Sequence, residues 1–164
     1  MAFLIRDAAK TDANAINAIL NHYVEHSTAT FITEPQTLKQ RLEWLDAHRE
    51  AHPAIVAEEL GRVVAWAALS SFRPRAAYKH TVELSVYVHH EFHRRGLGRT
   101  LVAEMLTRAR KLGHHVVIGG ACSESVASVA LLEAFGFSRV GQFHQVGRKF
   151  DRWLDVVFYQ LMLW

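Results

Sequence analysis

The spacing of apolar positions near the start of the chain predicts one short strand followed by two helices. Residues 3–6 alternate and are rich in strand-forming types, which indicates an opening strand. Thr11 or Asp12 then caps a helix, and a capping box at residues 33–36 begins a second helix that runs to about Ala51. The apolar residues at helical spacing are Ile16, Ile19, Leu20, Tyr23 and Val24 in the first helix and Leu38, Leu42 and Leu45 in the second.

Alternation of apolar and polar positions replaces helical spacing in the middle of the chain. Pro53 ends the second helix, and residues 54–57 and 63–69 flank a turn at 59–61, which predicts an antiparallel hairpin. A further strand at residues 81–88 has two different faces. Its apolar face carries Val82, Leu84, Val86 and Val88, and its polar face carries Thr81, Glu83, Ser85 and Tyr87.

The last part of the chain alternates between helices and strands. A long helix that stops at Gly113 is marked by Leu97, Leu101, Met105, Leu106 and Leu112. Residues 116–121 predict a strand, residues 125–135 a short helix, and residues 137–146 and 153–163 two closing strands. The predicted order is β-α-α-β-β-β-α-β-α-β-β, without repeat or linker, so we predict a single domain over residues 1–164.

Composition narrows the class of protein. With 164 residues and 50% hydrophobic content, the chain can build one substantial core. No apolar stretch approaches the roughly 20 residues of a membrane-spanning helix, and the first residues lack the layout of a secretion signal. The single cysteine, Cys122, cannot form an internal disulfide and is expected to be buried in a strand, which suits a reducing compartment. We therefore expect a cytoplasmic protein.

The loop at residues 93–99, His-Arg-Arg-Gly-Leu-Gly-Arg, joins the two-faced strand to the long helix. Gly96 and Gly98 allow a tight turn that leaves several N–H groups pointing outward, and such a helix start binds phosphate. Arg94, Arg95 and Arg99 surround it with positive charge. A plain helix-entry turn is the alternative. The net charge of +3 is too small to indicate nucleic acid, and neither a Walker loop nor a dinucleotide fingerprint is present.

The strand, loop and helix together resemble the Gln/Arg-x-x-Gly-x-Gly/Ala acyl-CoA motif of the Gcn5-related N-acetyltransferase (GNAT) superfamily, with His93 at the first position. Nearly the whole chain is similar to the phosphinothricin/methionine sulfoximine acetyltransferase branch. The positions that carry this resemblance are 21–23, Phe31, 34–35, Tyr78, 81–83, 85–88, 133–137, Lys149 and 153–156. The resemblance implies an α/β (α+β) GNAT fold, with a mixed central sheet of about six to seven strands, a splayed β-bulge strand pair and about four flanking helices.

The resemblance also implies acetyl-CoA as co-substrate and no metal. Backbone groups of residues 86–88 would pair with the pantetheine arm, and residues 94–100 would hold the pyrophosphate. The implied donor-binding set is Val86, Tyr87, Val88, His93, Arg94, Arg95, Gly96, Leu97, Gly98, Arg99, Thr100, Ser125 and Ser128. Ser125 replaces an asparagine that contacts CoA, and Leu132 replaces the tyrosine that many members use as general acid. Protonation of the leaving thiolate therefore falls to water or to another residue.

Glu83 is the candidate general base. Attack on a thioester requires a neutral amine, but an amine with a pKa near 10.4 is only about one part in a thousand neutral at pH 7.4. Glu83 lies on the polar face of the strand that carries Val86 and Val88. Because its ordinary pKa is low for a base, we expect burial to raise it or a water relay to assist. An exposed strand carboxylate is the alternative. A backbone N–H near Val88 is the candidate oxyanion donor.

Two arginines before this strand indicate the kind of acceptor. Arg73 and Arg75 flank Pro74 and can clamp a carboxylate or phosphinate, which predicts a small amino acid-like amine. Solvated loop charges are the alternative. The implied acceptor site consists of Phe31, Arg73, Arg75, Tyr78, Glu83 and Ser85, although Phe31 is equally consistent with ordinary core.

The leading hypothesis is an acetyl-CoA-dependent N-acetyltransferase that acts by direct attack in a ternary complex. Its substrate would resemble phosphinothricin or methionine sulfoximine, and its apolar closing strands favour a homodimer. The alternatives are acetylation of protein N-termini or lysines, a non-catalytic acyl-CoA sensor, and a nucleic-acid-binding module. His89, His90 and His93 lack metalloprotease spacing, so no metal is expected. The small net charge and the absence of a long apolar stretch also mean that no nucleic acid or membrane partner is expected.

Overall fold

A seven-stranded mixed sheet forms the centre of the computed structural model, which describes residues 2–164. The strands are β1 Leu4–Asp7, β2 Ala54–Glu59, β3 Arg62–Ser71, β4 Thr81–Val88, β5 Val116–Cys122, β6 Ser138–Lys149 and β7 Arg152–Met162. The helices are α1 Ala13–His26, α2 Leu38–Ala47, α3 Leu97–Lys111 and α4 Val126–Ala134, with short 3-10 helices at Lys10–Asp12, Ala76–Tyr78 and His90–Phe92. The strand order is β1-β2-β3-β4-β5-β7-β6. The predicted fold class and order of elements are confirmed.

Helices cover both faces of the sheet, so the molecule has two hydrophobic clusters. One cluster joins α3 to the sheet and includes Leu97, Leu101, Met105, Val82 and Leu84. The other joins α1 and α2 to the opposite face and includes Ile16, Leu20, Leu45 and Trp66. The alternation of β4 divides its side chains between the two, because Tyr87 packs against the second cluster. Cys122 is buried in β5, as expected.

The start of α2 differs from the prediction. The N-cap is Thr37, whose hydroxyl accepts a hydrogen bond from the Gln40 N–H, while the Gln40 side chain accepts one from the Thr37 N–H. A helix begun at residue 33 would need helical geometry at Glu34, which is disfavoured immediately before Pro35. The predicted capping box is therefore wrong by four positions along the chain.

Side chains of α1 hold the segment before α2. The Gln36 carbonyl accepts hydrogen bonds from the amides of Asn17 and Asn21, and the Gln36 N–H donates to the Asn21 side chain. At its other end α2 stops at Ala47, earlier than the predicted end near Ala51.

β4 and β5 are paired at one end only. Residues 81–83 pair in parallel with residues 116–118, whereas residues 119–122 pair with β7 alone. The predicted splay is therefore present. The pairing of β4 with β3 shows no register shift between Val82 and Val88, so the splay does not come from a bulge on that side.

The open edge of β4 carries unpaired main-chain groups. The N–H of His89 donates to the Val64 carbonyl on the β3 side. Because main-chain groups point alternately to either side of a strand, the N–H and C=O groups of Val86 and Val88 point away from β3. Past the short pairing with β5 they face the gap, where the Val88 carbonyl accepts the Tyr23 hydroxyl.

Candidate active site

A cleft of about 1220 Å³ opens where β4 and β5 separate. Its walls are β4 from Glu83 onward, residues 27–31 after α1, the loop before α3, the end of β5 and the start of α4. One wall therefore consists of main-chain donors and acceptors that lack strand partners. Such a wall can hold an extended ligand that carries amide groups.

The start of α3 provides a site for an anion. Gly96 is the N-cap with φ of 81°, and Arg94 has φ of 62°, so the chain turns sharply into the helix. The first N–H groups of α3 have no acceptor within the helix. The cleft is lined here by Arg94, Gly96, Leu97, Gly98 and Arg99. The Leu97 side chain is buried in the core, so it offers only its main chain. This arrangement can bind a diphosphate.

Two residues of the predicted donor-binding set have side chains outside the cleft. Arg95 pairs with Glu59 of β2 at 2.5 Å, and its guanidinium lies 4.9 Å from the ring centroid of Phe92. The Thr100 hydroxyl donates to the Gly96 carbonyl at 3.0 Å. These two side chains anchor the loop instead of facing a ligand.

Tyr23 lies at the wide end of the gap. Its hydroxyl donates to the Val88 carbonyl and lies 2.6 Å from His93 Nε2. Burial raises the pKa of Tyr23 to about 12, so the hydroxyl keeps its proton at physiological pH. Both Tyr23 and His93 line the cleft. The sequence pattern does not identify Tyr23 as a cleft residue, because its spacing matches the apolar face of α1.

Glu83 lies at the narrow end, where β4 and β5 part. Its carboxylate is partly buried and has no hydrogen-bond or ion-pair partner among residues 2–164, and desolvation raises its pKa above the ordinary 4.5. A Cβ on Gly120 opposite would lie 3.8 Å from Glu83 Oε1 and 3.3 Å from the Phe158 ring. The main chain of Gly120 thus comes close to the carboxylate. A partly buried carboxylate with a raised pKa can accept a proton from an amine.

The start of α4 forms the remaining wall. Ser125 and Ser128 line the cleft. Leu132 is buried, and a Cβ added to Gly119 would lie 2.6 Å from Leu132 Cδ2. The leucine therefore fills the space against β5 and offers no proton.

The predicted acceptor clamp lies away from the cleft. Arg73, Arg75 and Tyr78 are exposed on the loop between β3 and β4, and in the described part of the chain none of them lines the cleft. Arg73 instead lies 5.1 Å from the ring centroid of Phe72, which Tyr78 also contacts edge-on. This loop precedes the closed end of the β4–β5 pair, where no gap exists. The acceptor residues that the structure does bring together on the cleft are Phe31, Glu83 and Ser85.

Histidines near the cleft stack on one another. The rings of His22 and His90 lie 3.8 Å apart, and His89 stacks on His90. Within residues 2–164, no group of three or more His, Cys, Asp or Glu side chains is arranged to hold a metal ion. No helix in this part of the chain is long and apolar enough to cross a membrane.

Comparison with known proteins agrees with this geometry. The sequence model of the acetyltransferase (GNAT) family matches residues 16–137. The L-methionine sulfoximine/L-methionine sulfone acetyltransferase of Salmonella typhimurium is 40% identical over 160 residues, which cover 97% of this chain and 94% of that protein. The phosphinothricin N-acetyltransferase of Streptomyces viridochromogenes is 38% identical over 156 residues, which cover 95% of this chain and 85% of that protein.

A solved acetyltransferase structure from Salmonella typhimurium, determined with its cofactor acetyl-CoA, has a TM-score of 0.95 and 40% identity to this chain. The match covers 99% of this chain and 95% of the solved one. The family model, the relatives and the solved structure thus identify the same family over most of the chain. The chain belongs to the GNAT family of acetyltransferases.

Proposed function

We propose that the protein transfers the acetyl group of acetyl-CoA to the amino group of a small amino acid-like substrate, such as phosphinothricin, methionine sulfoximine or methionine sulfone. The observation that carries this proposal is the partly buried, unpartnered carboxylate of Glu83 at the narrow end of the cleft. Relatives named for these substrates, each matched over more than nine-tenths of this chain, support the choice of acceptor.

The donor would lie along the open edge of β4. Its diphosphate would accept hydrogen bonds from the first N–H groups of α3 and from Arg94 and Arg99. Its pantetheine amides would pair with the main chain of Val86 and Val88 in place of a neighbouring strand. Ser125 and Ser128 face the same groove from α4. This arrangement would bring the thioester to the narrow end, close to Glu83.

The reaction is direct attack in a ternary complex. Glu83 accepts a proton from the substrate ammonium, and the neutral nitrogen attacks the thioester carbonyl carbon. The carbon–sulfur bond then breaks to release the CoA thiolate, and the nitrogen loses its second proton to give the neutral amide. Val88 lies about 16 Å along β4 from Glu83, too far to serve as the predicted oxyanion donor for a thioester at the narrow end. The N–H of Val86, which also faces the gap, is our candidate donor to the oxyanion. Because Leu132 carries no acidic proton, water is our candidate for protonating the leaving thiolate.

The acceptor would lie between Glu83, Ser85 and Phe31. Arg73 and Arg75 stay our candidates for its carboxylate or phosphinate, because guanidinium groups form paired hydrogen bonds with such anions. Both side chains are exposed on the loop before β4 and do not line the cleft, so this role requires the loop to move toward a bound substrate. If they act in this way, Arg75→Gln raises the KM for the acceptor and leaves the KM for acetyl-CoA unchanged.

We also propose that the chain acts as a cytoplasmic homodimer of single-domain subunits. The support for dimerisation is a set of exposed apolar residues along β6, β7 and the C-terminus: Val140, Phe143, Val146, Trp153, Met162 and Trp164. Exposed apolar residues on neighbouring strands can contribute to an interaction surface. Light scattering after size-exclusion chromatography tests this, since a monomeric mass at all concentrations contradicts it. Localisation of a tagged chain tests the compartment.

A thiol-release assay tests the activity directly. Purified protein is given acetyl-CoA together with amino acids, sulfoximines, sulfones, phosphinates or short peptides. We expect thiol release with methionine sulfone, methionine sulfoximine or phosphinothricin, and none with peptides. Release with peptides alone would favour a protein acetyltransferase. Binding of acetyl-CoA without release for any amine would favour a sensor.

A further inference from the structure

The end of β6 holds one wall of the cleft from behind. Residues 27–31 form that wall, and Gly147 and Lys149 of β6 contact it. Neither of these β6 residues lines the cleft itself.

Lys149 fixes the main chain of the wall. Only 4% of this lysine is exposed, and its Nζ donates to the carbonyls of Ser27 at 2.6 Å, Thr30 at 2.8 Å and Tyr23 at 3.3 Å. The C-terminal carbonyls of a helix such as α1 lack intrahelical partners and carry partial negative charge. A single ammonium group, with three donors, therefore joins the end of α1 to the segment that follows it. No carboxylate pairs with Lys149 within residues 2–164, so these carbonyls are its partners.

Gly147 fixes the Phe31 ring. A Cβ added at Gly147 would lie 2.2 Å from Phe31 Cε2 and 2.5 Å from Phe31 Cδ2. The ring therefore lies directly on the main chain of β6, and any side chain at position 147 would displace it. Phe31 also lines the cleft, and Lys149 holds the neighbouring backbone at Thr30, so we expect a displaced ring to move toward the cleft.

We propose that Gly147 and Lys149 are specificity-determining residues that set the width of the acceptor pocket through Phe31. This inference rests on the proposed function, because it requires the acceptor side chain to lie beside Phe31. Gly147 lets the ring withdraw fully, and Lys149 keeps the backbone of the wall at a fixed distance from Glu83. The two residues act through Phe31 and do not contact the substrate.

The test compares Gly147→Ala with Gly141→Ala. Both glycines lie on β6, but a Cβ on Gly141 would meet no atom within 4 Å, which makes it the matched control. The acceptors are methionine sulfone and ethionine sulfone, which differ by one methylene. We expect Gly147→Ala to increase the preference in kcat/KM for the smaller acceptor by about tenfold, the discrimination that one methylene supports in a confined pocket. The KM for acetyl-CoA should change by less than about twofold.

Two further variants keep the inference falsifiable if Gly147→Ala folds poorly. In Phe31→Leu/Gly147→Ala the smaller side chain leaves room for the new methyl group, so we expect the preference to return toward that of the native enzyme. Lys149→Met removes the three hydrogen bonds, so we expect the preference to weaken and the KM for both acceptors to rise. Lys111→Met, at an exposed lysine near the end of α3, is its control and should behave as native.

The outcomes separate the two proposals. Suppose that the native enzyme acetylates both sulfones and that Gly147→Ala and Lys149→Met keep the native preference. That result overturns the inference and leaves the proposed function intact. An equal loss of kcat/KM with both acceptors in Gly147→Ala also overturns it, because that result indicates general damage and not a narrower pocket. Native enzyme that releases no thiol with either sulfone refutes the proposed function, and the inference falls with it.

Discussion

Replacing Glu83 by glutamine separates the chemical role of the carboxylate from its structural role. Glutamine keeps the shape of the side chain but cannot accept the proton of an ammonium group. Because Glu83 has no hydrogen-bond or ion-pair partner among residues 2–164, the substitution breaks no contact with the described chain. A positioned general base contributes about 10²- to 10⁴-fold to rate. We therefore expect kcat with methionine sulfone to fall by that factor, with the KM for acetyl-CoA unchanged.

The raised pKa of Glu83 also predicts two effects of pH with opposite signs. Activity of the native enzyme should rise with pH through the raised pKa, because only the ionised carboxylate is a base. Stability should fall over the same interval. Between the ordinary value of 4.5 and the raised pKa, the folded state holds its proton more tightly than the unfolded state, so the free energy of unfolding decreases as pH rises.

Glu83→Gln should therefore be slower and yet unfold at a higher temperature than native enzyme at pH 7.4. The gain in melting temperature should vanish below about pH 4, where the native carboxyl is protonated in both states. Steady-state kinetics and thermal denaturation across pH check both effects, with Glu43→Gln at an exposed position of α2 as control. Acetylation by Glu83→Gln at the native rate would refute the role of Glu83 as base.

Three further substitutions test other parts of the site and fold. Arg99→Gln should raise the KM for acetyl-CoA by about tenfold or more, since a hydrogen bond to a charged group contributes about 1.5–3 kcal/mol; Arg110→Gln, at the far end of α3, should not. Leu132→Tyr should lower stability by about 1–3 kcal/mol, because the larger ring overpacks against Gly119; an unchanged melting temperature contradicts this. Asp12 is nearly buried, and its bond to an arginine of β1 lowers its pKa, so Asp12→Asn should destabilise the protein by about 1–3 kcal/mol at pH 7. That difference should disappear as pH falls through the lowered pKa, as chemical denaturation at several pH values would show.

The sequence predicts β4, the loop and α3 well because their signals are local. Alternation along residues 81–88 separates Glu83 and Ser85 from the apolar face of β4, and both line the cleft. Gly96 makes the turn into α3. The start of α2 is harder, because Thr33 and Thr37 each have a glutamine three residues later. The choice between them depends on Pro35 and on contacts with α1.

The rest of the site depends on contacts between residues distant in the sequence. The hydroxyl of Tyr23 reaches Val88, and Lys149 reaches the end of α1, and neither distance follows from local spacing. Arg73 and Arg75 lie in an exposed loop, in which the Arg73 guanidinium lies against the Phe72 ring. Nearness to β4 in the sequence therefore does not determine whether a side chain reaches the cleft.

The short pairing between β4 and β5 leaves the central sheet incomplete along β4. Within residues 2–164, the strand ladder that joins the half with β1 to β4 to the half with β5 to β7 consists of three residue pairs. A donor lying along β4 would act as a surrogate strand and join the halves. At a free concentration about 100 times its Kd, such a ligand adds about 2.7 kcal/mol to stability. The lifetime of the protein against unfolding and proteolysis should therefore follow the supply of its co-substrate, so that the enzyme persists where acetyl groups are abundant.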